Sequence, residues 1–330
     1  MAFENNFFVF GKIGYDIVKF STFKLHLLLK SFIQHHQLSS DFNNKAKRYY
    51  LPLAERLTKL QQAVDKTFFV GINGCQGSGK STLADFLEKF LSQTYHLNIA
   101  VLSLDDFYLN REQRQKVARQ YHPLFKVRGV PGTHDMLQMK SCFQSLTEHQ
   151  GSTQLPRFNK VQDNPAPKDR WPSISTPVDM VIMEGWCWGV PPQQPRDLIA
   201  PVNNLEAQQD EQGLWRKAVN NFIKKEYQPL YNFMDYWIML KAPRFKTVLD
   251  WRIEQEHKLI NRVKNNGNLE EHHMMSDEDI EHFIKHYQRL TEFQLNVLPD
   301  QCDEVFELDE QRNITHQLSH RNGISNHDKS

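Results

Sequence analysis

Eight consecutive residues, Gly74-Cys75-Gln76-Gly77-Ser78-Gly79-Lys80-Ser81, match the spacing G-x-x-x-x-G-K-[ST] at every fixed position. Glycines at these places let the backbone curl so that successive N–H groups converge on an anion. A helix beginning at Lys80 adds the positive end of its dipole. Lys80 is then placed to reach the β- and γ-phosphates of a nucleoside triphosphate, the Ser81 hydroxyl to ligate Mg²⁺, and the loop as far as Thr82 to cradle the phosphate chain. The alternative, a glycine turn matching by chance, has to explain why the strand before it and the helix after it also agree. Two acidic positions follow. Asp105-Asp106 ends the apolar run 98–104, where a carboxylate can order a metal or take the proton of an attacking hydroxyl. By itself it also reads as a cap for the helix starting near Arg111. Glu184-Gly185-Trp186 ends a second apolar run, 178–183, and an acidic residue there suits the metal or its water.

Cations gather between these acids. Arg128 and His134 lie in the glycine- and proline-punctuated segment 128–135, and Arg157, Lys160, Lys168 and Arg170 lie in the proline-rich, mobile-looking segment 154–171. Tyr108, Arg128, His134, Arg157 and Lys160 are candidate contacts to an anionic acceptor, although such charges also occur as solvated surface. Cys75, inside the glycine loop at a helix start, is either a thiol of lowered pKa or an inert small residue.

The elements that must position these groups follow from apolar periodicity. Phe68, Phe69, Val70 and Ile72 form a strand, and Leu83, Phe86, Leu87, Phe90 and Leu91 line one face of a helix over 81–91. Strands are expected over 98–104, 178–183 and 236–240, with an edge strand over 305–308. Helices are expected from Arg111, over 136–146, over 205–231, over 244–262 with Arg252, Lys258 and Arg262, and from the Ser276 cap to Leu298. In open α/β sheets ligands bind at the carboxyl ends of strands, where the glycine loop, Asp105 and Glu184 all fall. Upstream, 20–33 reads as an amphipathic helix and Pro52 opens another. The division is a helical extension (1–66), one α/β nucleotide-binding domain (67–309) and a polar, flexible tail (310–330).

The 330 residues carry 40 Lys and Arg against 39 Asp and Glu, without the basic excess that nucleic-acid binding needs. The four cysteines are scattered with no C-x-x-C pair, which suits a reducing compartment such as the cytoplasm. The apolar stretch 20–33 is broken by Lys24, His26 and Lys30, and is too short for a membrane span. No membrane partner is therefore expected, and a membrane-surface role for that helix is the lesser reading. Oligomeric state is not legible.

The glycine loop, Asp105-Asp106-Phe107-Tyr108 and the strand ending in Glu184-Gly185 resemble the uridine kinase, phosphoribulokinase and pantothenate kinase group of P-loop kinases. More narrowly, several blocks are similar to the D-glycerate 3-kinase family: Arg128-Gly129 with Pro131 to Asp135, Asn204-Leu205-Glu206 to Asp210, Gly213 to Arg216 with Asn220, Tyr227 to Leu230, Trp251-Arg252 with Gln255-Glu256, and Met275 to Glu278. The resemblance spans about 49–300. It implies a P-loop NTPase fold with a parallel five-stranded sheet between helices and a helical lid at about 244–262. It also implies Asp105 as general base, Ser81 and Glu184 serving Mg²⁺, and Arg252 steadying the phosphates of ATP. Phe158 departs from the family, which often has tyrosine there, and bears on the acceptor. The expected activity is ATP- and Mg²⁺-dependent phosphorylation of a small anionic hydroxy acid, D-glycerate, to 3-phosphoglycerate. The alternatives are a pantothenate or nucleoside (uridine) kinase, for which Phe107, Trp186 and Trp188 offer aromatic surface, and a non-catalytic ATP-binding regulatory protein.

Overall fold

A computed structural model describes residues 22–148, 150–266 and 275–320. Residues 1–21 of the expected extension and 321–330 of the expected tail lie outside them. Helices α1 (Thr22–His36), α2 (Phe42–Lys45) and α3 (Leu51–Gln62) come first, α2 and α3 being joined by a π-turn. The chain then enters β1 (Phe68–Gly74), every residue of which is buried. Such a near-continuous apolar run, broken only by Asn73, is what a strand covered on both faces requires. After the glycine loop come α4 (Lys80–Tyr95), β2 (Ile99–Ser103), α5 (Arg111–Gln120) and α6 (Met136–Glu148). Asn110 caps α5 in a reciprocal capping box with Gln113.

The segment expected to be mobile is instead ordered as nested hairpins, β3 (Gly151–Gln154) with β6 (Ser173–Thr176) enclosing β4 (Phe158–Asn159) with β5 (Asn164–Pro165). Its prolines and charges have the composition of a linker. Backbone pairing and the carboxylate of Asp163, shared by three arginines, hold it in place. The chain continues through β7 (Met180–Gly185), α7 (Asn204–Gln209), α8 (Leu214–Phe222), α9 (Gln228–Tyr231) and β8 (Tyr236–Lys241). It ends with α10 (Phe245–Asn266), α11 (Asp277–Val297), β9 (Glu304–Leu308) and β10 (Ile314–Ser319). The stretch expected as one helix over 205–231 is broken at Gly213, whose φ of +69° caps α8.

The main sheet has the order β10-β9-β8-β1-β7-β2. Its five strands β9, β8, β1, β7 and β2 are parallel, as expected, and β10 adds an antiparallel edge. That edge corrects the expected frayed tail: polar residues 314–319 are half of a hairpin whose other half is buried. The opening helices dock on the same domain. Rings of Phe32, Phe42 and Tyr50 lie 5.5, 5.8 and 5.7 Å from Phe86 of α4, and Tyr49 and Tyr50 meet Phe306 of β9. Arg56 of α3 pairs with the fully buried Glu304, whose carboxylate also accepts from the Tyr236, Gln317 and Ser319 side chains. Satisfying that buried charge from four sides makes the extension and the β9–β10 hairpin part of one core.

Candidate active site

The carboxyl ends of β1, β7 and β2 form the floor. Glu184 is in register with Ile72 of β1 and Ser103 of β2, so it emerges directly beneath the glycine loop. The Ser81 hydroxyl donates to Glu184 Oε1 at 2.8 Å, and Lys80 Nζ stands 3.8 Å from Oε2, a buried oxygen with no hydrogen bond. A hydroxyl and a carboxylate, one oxygen of which is buried without a hydrogen bond, are hard donors of the kind Mg²⁺ takes when phosphate oxygens and water complete its octahedron. These residues fit that ion.

Gly77 lies at φ +76°, and a Cβ on it would stand 2.7 Å from Trp251 Cβ of α10. Only glycine permits both the turn and this close approach. Gly79 at +93° lets the chain enter α4 directly. Cys75 is fully buried and accepts from Gln294 Nε2 at 3.4 Å; burial pushes its thiol up to about 11, so it is not the activated thiol its position suggested. Gln294 also accepts from Asn73, which donates to the Trp188 carbonyl.

At the carboxyl end of β2, Asp105 and Asp106 sit in a 3-10 turn that directly follows the strand. Their carboxylates take different partners. Asp105 Oδ1 accepts from the Tyr108 hydroxyl at 3.0 Å and Oδ2 from Lys160 Nζ at 2.6 Å. Burial would raise its carboxyl, but Lys160 and Lys80 outweigh it and hold the group below the usual carboxylate range. Asp106 accepts from the Phe158 N–H at 3.2 Å and Arg157 at 3.4 Å, and burial pushes it up to about 6 despite Arg157. It anchors the hairpin that carries Lys160.

The Tyr108 ring stacks on His134, centroids 4.4 Å apart, and His134 Nδ1 lies 2.6 Å from the Tyr227 hydroxyl. Burial drives His134 down to about 3, so it is neutral and supplies shape and hydrogen bonding, not the cationic lining expected of it. The three remaining candidate cations are each engaged by a carboxylate: Lys160 by Asp105, Arg157 by Asp106 and Arg128 by Asp163. Arg114 and Arg111 share Asp163. Arg252 pairs with Glu256 at 2.8 Å and not with the glycine loop, which its neighbour Trp251 covers; the side chain of Arg262 lies outside the described residues. Phe107, Trp186 and Trp188 are buried in the core, and the Trp186 indole donates to the Gly129 carbonyl, so none is free to stack a base. Asp163, Tyr227, Gln294 and Arg312, whose Nε donates to the Gly77 carbonyl, are site residues the motif reading did not single out. Only Tyr227 carried a signal, its place in a family block.

Among the described residues no helix is long and apolar enough to cross a membrane. The family model described as phosphoribulokinase / uridine kinase family matches residues 69–194. The chain is 30% identical over 273 residues to the uncharacterized kinase mug58 of Schizosaccharomyces pombe, covering 78% of this chain and 93% of that protein. It is 27% identical over 228 residues to the chloroplastic D-glycerate 3-kinase of Arabidopsis thaliana, covering 66% of this chain and 45% of that protein. The solved structure of D-glycerate 3-kinase from Cryptococcus neoformans has the same fold, with a TM-score of 0.66 at 24% identity over 82% of this chain and 99% of that one. A kinase of this kind uses ATP, with a divalent cation on its phosphates. The chain belongs to the phosphoribulokinase/uridine kinase family and is a phosphotransferase of the D-glycerate 3-kinase-like branch of P-loop kinases.

Proposed function

We propose that the protein transfers the γ-phosphoryl group of ATP to D-glycerate, giving 3-phosphoglycerate. The observation that carries this reading is the Tyr108–Asp105–Lys160 chain at the end of β2, across from Lys80 and Glu184. A carboxylate fixed by one hydroxyl and one ammonium is a base of defined orientation beside a cation, and a small acid that brings its own carboxylate can take that cation over. Asp105 accepts the proton of the acceptor hydroxyl; its lowered pKa keeps it ionised at neutral pH. Lys160 exchanges Asp105 for the acceptor's carboxylate, with Arg128 and Arg157 able to do likewise from their own carboxylate partners and the neutral His134 fixing Tyr108. Ser81 and Glu184 would hold Mg²⁺, which would supply charge neutralisation on the phosphates. Lys80 meets the β- and γ-phosphates, and Arg252 reaches them by leaving Glu256 when α10 closes.

This reading takes a kinase core that starts at 67, runs past the expected boundary at 309 to include β10, and carries a lid at about 244–262. The test is ADP release with Mg·ATP across D-glycerate, other hydroxy acids, pantothenate and uridine. D-glycerate alone should raise the rate far above the acceptor-free background. Turnover with pantothenate or uridine at equal kcat/KM refutes the acceptor assignment, and no acceptor-dependent ADP release would leave a regulatory ATP-binding protein.

A further inference from the structure

The turn between β9 and β10 places one arginine against three parts of the nucleotide site. Arg312 Nε donates to the carbonyl of Gly77 at 2.7 Å, its Nη2 pairs with Glu254 of α10 at 2.7 Å, and its guanidinium lies 5.0 Å above the Trp251 ring. Trp251 in turn donates its indole N–H to the Glu310 carbonyl of the same turn at 2.7 Å. We propose that Arg312 is a positioning residue for the nucleotide, holding the glycine loop in its anion-binding curl and tying that curl to the lid helix α10.

The physical case starts from the loop itself. For its N–H groups to converge on phosphate, its carbonyls must turn outward, and each outward carbonyl in a half-buried place needs a donor. Cys75 O is satisfied locally by the Ser78 N–H at 3.1 Å. Gly77 O is satisfied by a side chain 235 positions away. The donor is charged, which strengthens the bond and leaves a positive group at the loop's outer edge. The backbone of Arg312 is held at φ +66°, a region that residues bearing a Cβ seldom enter. Asp309 constrains the turn by accepting from the N–H groups of Gln311 at 2.9 Å and Asn313 at 2.7 Å. The planar fork matters as well as the charge: bonding Gly77, pairing with Glu254 and stacking on Trp251 at once is open to a guanidinium and not to an ammonium.

This inference concerns the nucleotide and is independent of the acceptor, so equilibrium binding of Mg·ATP with no acceptor present tests it apart from the glycerate reading. Arg312→Ala should raise the Kd for Mg·ATP by about 10- to 100-fold, the worth of a charge-assisted hydrogen bond. Arg312→Lys should fall between, and added guanidinium should restore part of the affinity of Arg312→Ala. Lys45→Met is the control: Lys45 Nζ donates to the Arg312 carbonyl at 2.5 Å, anchoring the same turn without touching the loop. It should lower the melting temperature and leave the Kd for ATP within about twofold. A Kd in Arg312→Ala within twofold of wild type overturns the proposal, as does an equal loss of affinity in Lys45→Met. If Arg312→Ala does not fold, a Kd in Arg312→Lys indistinguishable from wild type overturns it.

Discussion

Replacing Asp105 with Asn removes a charge and a basic oxygen while leaving a side chain of nearly the same shape. The amide oxygen can still accept from Tyr108, now 3.0 Å from Oδ1, so the side chain keeps its place. The ion pair with Lys160 is lost, but the Lys160 side chain is 60% exposed, and a pair that open contributes about 1 kcal/mol or less. The protein therefore stays folded, and the change falls on the chemistry. A positioned general base is worth about 10²–10⁴ in rate, equivalent to about 3–5 kcal/mol of transition-state stabilisation. Initial rates of ADP release at saturating Mg·ATP should show kcat down by that factor, with the KM for ATP barely moved. A kcat within tenfold of wild type would refute the base. Loss of Mg·ATP binding with normal chemistry at saturating metal would make Asp105 a metal residue instead.

Three further outcomes follow from the same geometry. Asp106 has a folded pKa of about 6, raised from 3.8, so its contribution to stability is fully present below the unfolded value and is lost as pH rises through 6. Wild-type unfolding free energy should fall by up to about 3 kcal/mol between pH 4 and 7 from this group, while Asp106→Asn, which can keep the Phe158 bond, should lose that slope; identical slopes in denaturant titrations would contradict the assignment. Glu184→Gln should raise the Mg²⁺ concentration for half-maximal activity at least about tenfold, and an unchanged Mg²⁺ titration would remove Glu184 from the metal site. Gly129 has φ +144° and its Cβ direction ends 2.0 Å from the Tyr287 hydroxyl oxygen, so Gly129→Ala should destabilise by about 2–4 kcal/mol, read as a drop in melting temperature.

The groups legible in the sequence are those whose chemistry is local. Gly74 to Ser81 is a contiguous spacing, and Asp105 and Glu184 each end an apolar run, so strand periodicity alone carries them to one edge of the sheet. What was not legible depends on pairing across the chain. Lys160 finds Asp105 only because two-residue strands fold 158–165 back, and Asp163, an ordinary loop carboxylate in sequence, gains its role from three arginines contributed by α5 and the loop that follows it. Arg312 was hidden for a related reason. Polar residues after Glu310 have the composition of a loose tail, and the buried partner that orders them, β9, pairs along a backbone ladder that composition does not encode. His134 shows the converse, since its residue type suggested a cation and its burial removed the charge.

The central claim is the identity of the acceptor and of the oxygen that attacks. Incubation with Mg·ATP and D-glycerate, followed by NMR identification of the phosphorylated product, tests both together. The account predicts stoichiometric ADP and 3-phosphoglycerate, formed by wild type and, at a rate lower by about 10²–10⁴, by Asp105→Asn. ADP release that is unaffected by D-glycerate, or phosphate appearing on the 2-hydroxyl, would contradict it.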